Sequence, residues 1–366
     1  MVEVGYVNLA AQWEQEKTDL LPIIESVLAK GDYIAGAKVQ SFEDIVNITI
    51  GSKFCVALNS GTDALVCAMV ALGIKAGDEV ITPPNSFIAS TASIIHIGAK
   101  PVFVDVLEDQ NLDPSKIEDA ITNKTRAIMP VHLTGKTCKM DDIMSIAKKY
   151  DLRVIEDSAQ SIGSKYLNTK AGLFGDVGCF SAHPLKNLNA CGDAGFLVTN
   201  SKEIADKVRT MRNHGLVDRN TVSEFGYVSR MDTIQAAILE YRMSKLPEVI
   251  KKRRANAKRY ITLLQNLDIH LPIETPNEFN TFHTFVIQLA NRDYVKSELE
   301  NRGIETSIHY PVPIHLQPAA ATLNYKLGDF PVTESQASNI LTLPINQFLS
   351  PNDIDYVCQN LVDIVA

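Results

Sequence analysis

The feature that most constrains the fold is a regular alternation of short apolar runs with helical patterns over residues 54–200. Strands that are apolar along their whole length, and that are separated by helices, are typical of a mostly parallel sheet covered on both faces. The pattern therefore predicts an α/β fold with a mostly parallel, seven-stranded sheet sandwiched by helices. The predicted strands are 54–58, 79–82, 102–106, 126–131, 153–157, 177–181 and 195–200, and the predicted helices between the early strands are 62–72, 87–97, 115–122 and 139–150.

The pattern changes after about residue 232, where helix and strand signals alternate at longer spacing. This change predicts a second, smaller α+β domain at the C-terminus, so that residues 1–245 form a large domain and residues 246–366 a small one. Its predicted elements are helices over 232–246, 247–267 and 292–303 and strands over 283–290 and 304–310.

Composition excludes several classes of function. The 366-residue chain carries a formal net charge of −8, which argues against nucleic-acid and anionic-membrane binding. No uncharged apolar run approaches the ~18 residues of a membrane span, and the N-terminus does not resemble a signal peptide. The six cysteines form no CxxC pair, so we expect reduced thiols in the cytoplasm. The basic run "KKRRANAKR" (251–259) favours the solvated face of a helix over a nucleic-acid patch.

Familiar phosphate and metal motifs are absent from the sequence. The "GKT" at 135–137 is not a Walker A loop, because Pro130 stands where the first glycine is needed, and no G-x-G-x-x-G follows an early strand. The eight histidines form no HExxH and no close Cys/His cluster, so we expect no metal site.

Three polar positions that follow predicted strands suggest chemistry. After the strand that ends at Leu58, the turn "NSGT" opens a helix, whose N-terminus suits a phosphate; equally, Ser60 or Thr62 could serve only as its N-cap. Asp157 ends another strand, where ligands gather in open α/β sheets, although a helix cap is the simpler interpretation.

Lys186 is the third position, in "SAHPLKNLNACGDAG" (181–195), just past a later strand. A single lysine is ordinarily a solvated charge. In this order, however, a phosphate turn, a carboxylate at a strand end and a lysine are the three anchors of pyridoxal 5′-phosphate (PLP). The lysine bonds the aldehyde of PLP through a desolvated amine, and the carboxylate keeps the pyridine nitrogen protonated.

With these residues in place, the chain resembles the PLP-dependent sugar aminotransferases of the DegT/DnrJ/EryC1/StrS family, over nearly its whole length. That family has the aspartate aminotransferase-like fold, fold type I of PLP-dependent transferases. The segments that carry the resemblance are "GDYIAGAKVQSFE" (31–43), "NSGTDAL" (59–65), "GDEVITPPNSFIAST" (77–91), "PVFVDV" (101–106), "MPVHLTG" (129–135), "VIEDSAQSIGSKY" (154–166), "GDVGCFSAHPLKNLNACGDAG" (175–195), "RNHG" (212–215), "SRMDTIQAAIL" (229–239) and "IHYPVPIHLQPA" (308–319).

The resemblance implies a role for each site residue. Lys186 would be the lysine that bonds the cofactor, Asp157 the partner of the ring nitrogen and Gln160 a contact on the side of the ring hydroxyl. Gly61, Thr62 and Ser181 would bind the cofactor phosphate, and Phe87 would cover the face of the ring. The residues that would line the sugar pocket are His183, His309, Tyr310 and His315. For these four a purely structural role stays open.

The sequence departs from the family pattern at three positions. Val228 stands in "GYVSR" where an asparagine commonly reaches the cofactor phosphate of the neighbouring subunit, and Ser229 is the candidate replacement. Ala182 and Thr134 stand where aromatic residues are frequent. These changes bear on substrate details rather than on PLP chemistry.

The function that follows is transfer of an amino group from an amino acid, which the resemblance implies to be glutamate, to a nucleotide-linked 3- or 4-keto hexose. The resemblance further implies a homodimer with active sites at the interface. The alternatives are a sugar dehydratase, in which a histidine typically replaces the lysine, another PLP reaction such as that of an aldolase or desulfurase, and a non-catalytic ligand-sensing member of the family.

Overall fold

A computed structural model describes residues 4–365; residues 1–3 and 366, at the outer ends of the two predicted domains, lie outside that range. Within it the backbone forms twelve strands and ten α-helices. The strands are β1 Phe54–Leu58, β2 Glu79–Thr82, β3 Lys100–Phe103, β4 Thr125–Ile128, β5 Arg153–Asp157, β6 Lys165–Tyr166, β7 Thr169–Lys170, β8 Val177–Ser181, β9 Gly195–Thr199, β10 Glu278–Phe279, β11 Phe285–Gln288 and β12 Ile340–Leu343.

The α-helices surround the large sheet and continue into the C-terminal unit. They are α1 Leu9–Lys30, α2 Ala37–Val46, α3 Gly61–Ala71, α4 Ile88–His96, α5 Met140–Tyr150, α6 Lys202–Met211, α7 Thr233–Leu264, α8 Arg292–Asn301, α9 Pro331–Asn339 and α10 Pro351–Val365. None of these helices, among residues 4–365, combines the length and the apolarity that crossing a bilayer requires.

Seven strands form the central sheet in the order β1-β9-β8-β5-β4-β2-β3. Neighbours pair in parallel except around β9, which runs antiparallel to both β1 and β8. Alternate residues of β1 enter different cores, because Val56 and Leu58 pack with α3 and α6 while Cys55 and Ala57 pack with α2 and α7. The predicted seven-stranded, mostly parallel sheet between helices is confirmed.

One predicted helix of the large unit is wrong. Residues 115–122 form two tight 3₁₀ turns, Pro114–Lys116 and Glu118–Ala120, instead of an α-helix. The backbone N–H of Ser115 is bonded by the Asp113 carboxylate at 3.0 Å, and Ile117 between the two turns is fully buried. A segment this short gains too few helical hydrogen bonds to offset helix nucleation, so local side-chain bonds decide its shape.

The C-terminal unit packs α7, α8 and α10 around the two-stranded sheet β11–β12, with Tyr260 and Phe285 fully buried between them. The predicted strand over 304–310 is wrong. Only Ser307 exchanges backbone hydrogen bonds with Thr342 on the outer side of β12, at 3.1 and 2.8 Å. Beyond Ser307 the chain leaves the sheet, and its next residues line a cavity.

The two helices predicted over 232–246 and 247–267 are a single helix, α7, of 32 residues with Pro247 inside it. Its buried positions Leu246, Ile250, Arg253 and Ala257 follow one another at helical spacing across the proline, so one continuous face packs against both units. Because α7 runs through residue 245, the predicted division into 1–245 and 246–366 falls within a helix, and it stays a prediction.

Candidate active site

A cavity of about 360 Å³ lies where the carboxyl ends of the parallel strands meet the C-terminal unit. Ligands bind at this edge in open α/β sheets because the loops leaving several strands converge there. The lining contains the predicted residues Gly61, Thr62, Phe87, Asp157, Gln160, Ser181, His183, Lys186, His309 and Tyr310.

The turn between β1 and α3 brings the N-terminus of α3 close to the end of β8. Ser60 is the N-cap of α3, since its Oγ accepts a 3.1 Å hydrogen bond from the backbone N–H of Asp63. A Cβ added at Gly61 would lie 2.8 Å from the Cβ of Ser181, so only glycine lets the helix N-terminus approach β8 this closely. Ser60 therefore serves the helix as its N-cap and also lines the cavity, together with Gly61 and Thr62.

Asp157, at the end of β5, is buried and firmly held. Its Oδ2 accepts a 2.7 Å hydrogen bond from Ser90 Oγ on α4, and its Oδ1 accepts one of 3.2 Å from the backbone N–H of Ala159. No α-helix begins directly after Asp157, since the next elements of the described chain are the strands β6 and β7, so the carboxylate is not a helix cap. It is a fixed negative charge at the cavity wall.

The residue before it, Glu156, anchors β5 from the opposite face. Its carboxylate is fully buried and accepts 2.7 Å hydrogen bonds from the backbone N–H groups of Gly172, Phe174 and Gly175. The carboxylate also lies 2.9 Å from Nε2 of His132, whose backbone N–H donates to the carbonyl of Asp157. These bonds leave the strand end little freedom, which preorganises Asp157.

Lys186 lies in the irregular loop between β8 and β9, where its backbone N–H donates to the carbonyl of His183 at 2.8 Å. Burial lowers the pKa of its amine from 10.5 to about 8, and the negative charge of Asp157 partly opposes this shift. The loop is tied to α1 by a reciprocal amide pair, in which Gln12 and Asn189 each donate to the other at 3.0 and 2.9 Å. Lys186 is therefore not a solvated surface charge, because its amine is desolvated at the cavity.

The rest of the lining is aromatic and histidine-rich. The rings of Phe87 and Tyr310 lie 5.8 Å apart between centroids. Burial and the charge of Lys186 together lower the pKa of His309 to about 4, so the ring is neutral at pH 7. Burial and the charge of Asp157 together raise the pKa of Tyr310 to about 12. These two side chains can therefore exchange neutral hydrogen bonds with a ligand.

His315 lies apart from the cavity. Its buried ring is 3.0 Å from Glu334 through Nε2 and stands edge-on to Phe330 at 4.8 Å between centroids. These contacts give the side chain a structural role, and the predicted placement of His315 in the sugar pocket has no support in this geometry.

Sequence reasoning missed several residues of the lining. They include Tyr6, Ser90, Arg253, His283 and Asn346. Ser90 lies within a segment that carries the family resemblance and at helical spacing from Phe87, so its position held a usable signal. Arg253 comes from the basic run that we expected to be solvated, yet only 7% of its surface is exposed.

Comparison with known proteins agrees with this geometry. Residues 14–362 match the model of the DegT/DnrJ/EryC1/StrS aminotransferase family. A pleiotropic regulatory protein of Geobacillus stearothermophilus is 37% identical over 99% of this chain and 98% of its own. A UDP-N-acetyl-3-dehydro-α-D-glucosamine 3-aminotransferase of Acidithiobacillus ferrooxidans is 41% identical over 93% of this chain and 92% of its own.

Solved structures of other proteins also resemble this chain over nearly its whole length. The crystal structure of Streptomyces venezuelae DesV with a ketimine intermediate superposes with a TM-score of 0.97 at 37% identity, covering 99% of this chain and 98% of that one. Related solved structures hold the cofactor as pyridoxal or pyridoxamine phosphate.

The residues of this cavity fit that cofactor. The space that glycine leaves at Gly61, beside Thr62 and Ser181 at the N-terminus of α3, suits its phosphate. Asp157 would hold the ring nitrogen, Phe87 would cover the ring, and Lys186 would bond its aldehyde. From the geometry and the comparisons together, the chain belongs to the DegT/DnrJ/EryC1/StrS aminotransferase family, whose members use pyridoxal phosphate.

Proposed function

We propose that this protein transfers an amino group from an amino acid, glutamate, to the keto carbon of a nucleotide-linked hexose. The observation that carries the proposal is the convergence of Lys186 and Asp157 on one cavity beside the anion-binding turn at Gly61. An amine with a pKa near 8 and a fixed carboxylate are the two groups that transamination requires from the protein.

Pyridoxal phosphate supplies an electron sink for the carbanion that forms at the donor Cα. The chain's own residues do the rest. The carboxylate of Asp157 would hold a proton on the ring nitrogen, and Ser90 and Ala159 keep that carboxylate oriented. The Nζ of Lys186 would take the proton from the donor Cα as general base and, as general acid, give it to the carbon that was the aldehyde carbon of the cofactor. The same steps in reverse place the amino group on the sugar.

The sugar pocket is proposed from the polar side chains at the cavity. His183, His309 and Tyr310 line it, and a neutral imidazole or phenol can both donate and accept hydrogen bonds to sugar hydroxyls. The relative from A. ferrooxidans is named for a 3-amino transfer to a UDP-linked sugar, which supports a nucleotide-linked acceptor.

A second candidate is a regulatory role without turnover, favoured by the name of the relative from G. stearothermophilus. The lowered pKa of Lys186 weighs against it, because a ligand sensor gains nothing from a desolvated amine. A sugar dehydratase is disfavoured by the same residue, which a histidine typically replaces in such enzymes.

We further propose that the protein is a cytoplasmic homodimer. Apolar side chains are exposed together in the segment before α7, where Val217, Val222, Phe225, Tyr227 and Val228 are each at least 43% exposed. An apolar cluster of this kind favours burial against a second copy. The six cysteines are free thiols, as expected for a reducing compartment.

The test is product analysis with a panel of UDP- and dTDP-linked 3- and 4-keto hexoses, with glutamate as donor and PLP supplied. We expect one amino sugar by mass spectrometry from the wild type and from Lys202→Ala, a surface lysine on α6, and none from Lys186→Ala. Undiminished turnover in Lys186→Ala would refute the assignment of the lysine. A holoprotein that aminates no sugar of the panel, and is not converted by glutamate, would favour the regulatory role.

A further inference from the structure

Arg253 is the one arginine of α7, among the described residues, without a carboxylate partner. The other three are paired: Arg242 with Glu16, Arg254 with Glu274 and Arg259 with Asp355. Arg242 is as deeply buried as Arg253, each with 7% of its surface exposed, and it meets Glu16 through two hydrogen bonds of 2.9 and 2.7 Å. The buried guanidinium of Arg242 is therefore matched by a negative charge, and that of Arg253 is not.

The protein contacts of Arg253 are incomplete. Its Nη1 donates to the backbone carbonyls of Phe282 and His283 at 3.3 and 3.0 Å. Its Nε is buried without a hydrogen-bond partner in the described chain, and the side chain lines the cavity. A buried guanidinium donor without a partner costs free energy that a bound acceptor restores.

Within residues 4–365, no carboxylate compensates the charge of Arg253. The ionisable group that acts on the guanidinium is the phenol of Tyr6. Burial raises the pKa of Tyr6, so this phenol is neutral at pH 7. His283 lies at the same cavity with Nδ1 buried and unpartnered. Burial lowers the pKa of His283, and the charges of Lys186 and Arg253 lower it further.

Two acids of the described chain line the cavity, Asp193 and Asp157. Asp193 is exposed and makes no ion pair with Arg253, and Asp157 is already engaged. Its two oxygens accept from Ser90 and Ala159, and none of its contacts involves Arg253. This corner, defined by Arg253, His283 and Lys186, is thus positively charged and desolvated. A planar carboxylate matches the fork of a guanidinium better than any neutral group does.

We propose that Arg253 binds the α-carboxylate of the amino-acid donor and of the keto acid it becomes. This inference rests on the proposed function, because it takes the donor from it. The α-carboxylate is attached to the carbon that carries the transferred nitrogen. It must therefore lie close to Lys186, which acts on that same carbon. Arg253 thereby distinguishes amino acids from simple amines.

The experiment measures equilibrium binding of 2-oxoglutarate to the PLP-loaded protein by calorimetry. A keto acid has no amino group and does not react with this form. The comparison ligand is levulinate, in which a methyl group replaces the α-carboxylate. For the wild type we expect 2-oxoglutarate to bind about tenfold to a hundredfold more tightly than levulinate, the range of a charged hydrogen bond.

Three variants test whether Arg253 causes the preference for 2-oxoglutarate over levulinate. Arg253→Gln should bind 2-oxoglutarate about tenfold to a hundredfold more weakly than the wild type and no better than levulinate. Arg253→Lys should retain part of the preference, and Lys252→Gln, an exposed neighbour on α7, all of it. Unchanged 2-oxoglutarate binding in Arg253→Gln would overturn the proposal. If that variant does not fold, equal affinity of the wild type for the two ligands would overturn it instead.

A carboxylate could also be part of an acidic sugar. Binding of UDP-glucuronate, which has a carboxylate, is therefore compared with binding of UDP-glucose, which has none. Weaker binding of UDP-glucuronate alone to Arg253→Gln, with 2-oxoglutarate unaffected, would place the sugar rather than the donor at Arg253 and contradict the proposal. If no keto-sugar is aminated but 2-oxoglutarate binding depends on Arg253, the acceptor proposal fails while the carboxylate site stands.

Discussion

The hydroxyl of Ser90 lies 2.7 Å from Oδ2 of Asp157 and joins α4 to the end of β5. Both residues are buried, so this bond is shielded from water and fixes the direction in which the carboxylate faces the cavity. It links the segment that supplies Phe87 with the group that would hold the cofactor nitrogen, and several predictions depend on that arrangement.

Replacing Ser90 by alanine removes that bond and leaves Asp157 with the backbone N–H of Ala159. We expect a fall in kcat of about tenfold, since a hydrogen bond to a charged group contributes ~1.5–3 kcal/mol, part of which water can replace. Single-turnover kinetics with glutamate measure this. Ser93→Ala is the matched control, because Ser93 donates to the carbonyl of Ser90 and does not contact Asp157. Equal rates in the two variants would contradict the role of Ser90.

Asp157→Asn keeps the shape of the side chain and removes its charge. A charge pair at ~4 Å with an effective dielectric constant of ~20 contributes roughly 4 kcal/mol, so we expect about a thousandfold loss of rate. Folding, followed by circular dichroism, should be unaffected. A variant that reacts with glutamate at the wild-type rate would show that the carboxylate only shapes the loop.

The pKa of Lys186 predicts how cofactor capture depends on pH. Burial lowers the pKa of the amine from 10.5 to about 8, so the neutral, nucleophilic form is a minority below pH 8 and dominates above it. In apoprotein mixed with PLP, the rate of bond formation should rise with pH and level off above about 8. Stopped-flow absorbance measures it, with Lys186→Ala as the blank. A rate that keeps rising to pH 10 would indicate a solvated lysine.

His315 should matter for stability and not for the sugar. His315→Ala removes the contact with Glu334 and the edge-on packing against Phe330, which together contribute about 1–3 kcal/mol to the free energy of unfolding. Urea unfolding measures the loss, with His96→Ala, an exposed histidine of α4, as control. The KM for the keto-sugar should stay unchanged; a higher KM in a fully stable variant would return His315 to the substrate pocket.

The sequence predicted well what depends on strand ends. Asp157, Ser181 and the turn after Leu58 follow apolar runs that are unmistakable in this chain, and parallel strands bring their carboxyl ends to one edge of the sheet. Phe87 was placed by family resemblance and lies at the same edge. In each case a local pattern decides the position.

Positions that depend on packing between distant segments were harder to predict. Arg253 lies in a strongly basic run, and charge content alone indicates solvent. Its spacing of three and four residues from Ile250 and Ala257, both buried, is the signal that would have placed it on the inner face of α7. His315 shows the converse, because nothing in its own loop indicates its contacts with Glu334 and Phe330. Its role in the sugar pocket stays a prediction.

The continuity of α7 has a mechanical consequence. At 1.5 Å per residue its 32 residues make a rod about 48 Å long that belongs to both units, so neither can swing away without deforming it. Pro247 offers no N–H to the carbonyl of Met243, so one intrahelical hydrogen bond is missing six residues before Arg253. Bending of α7 at Pro247 would therefore move the guanidinium of Arg253 toward or away from Lys186.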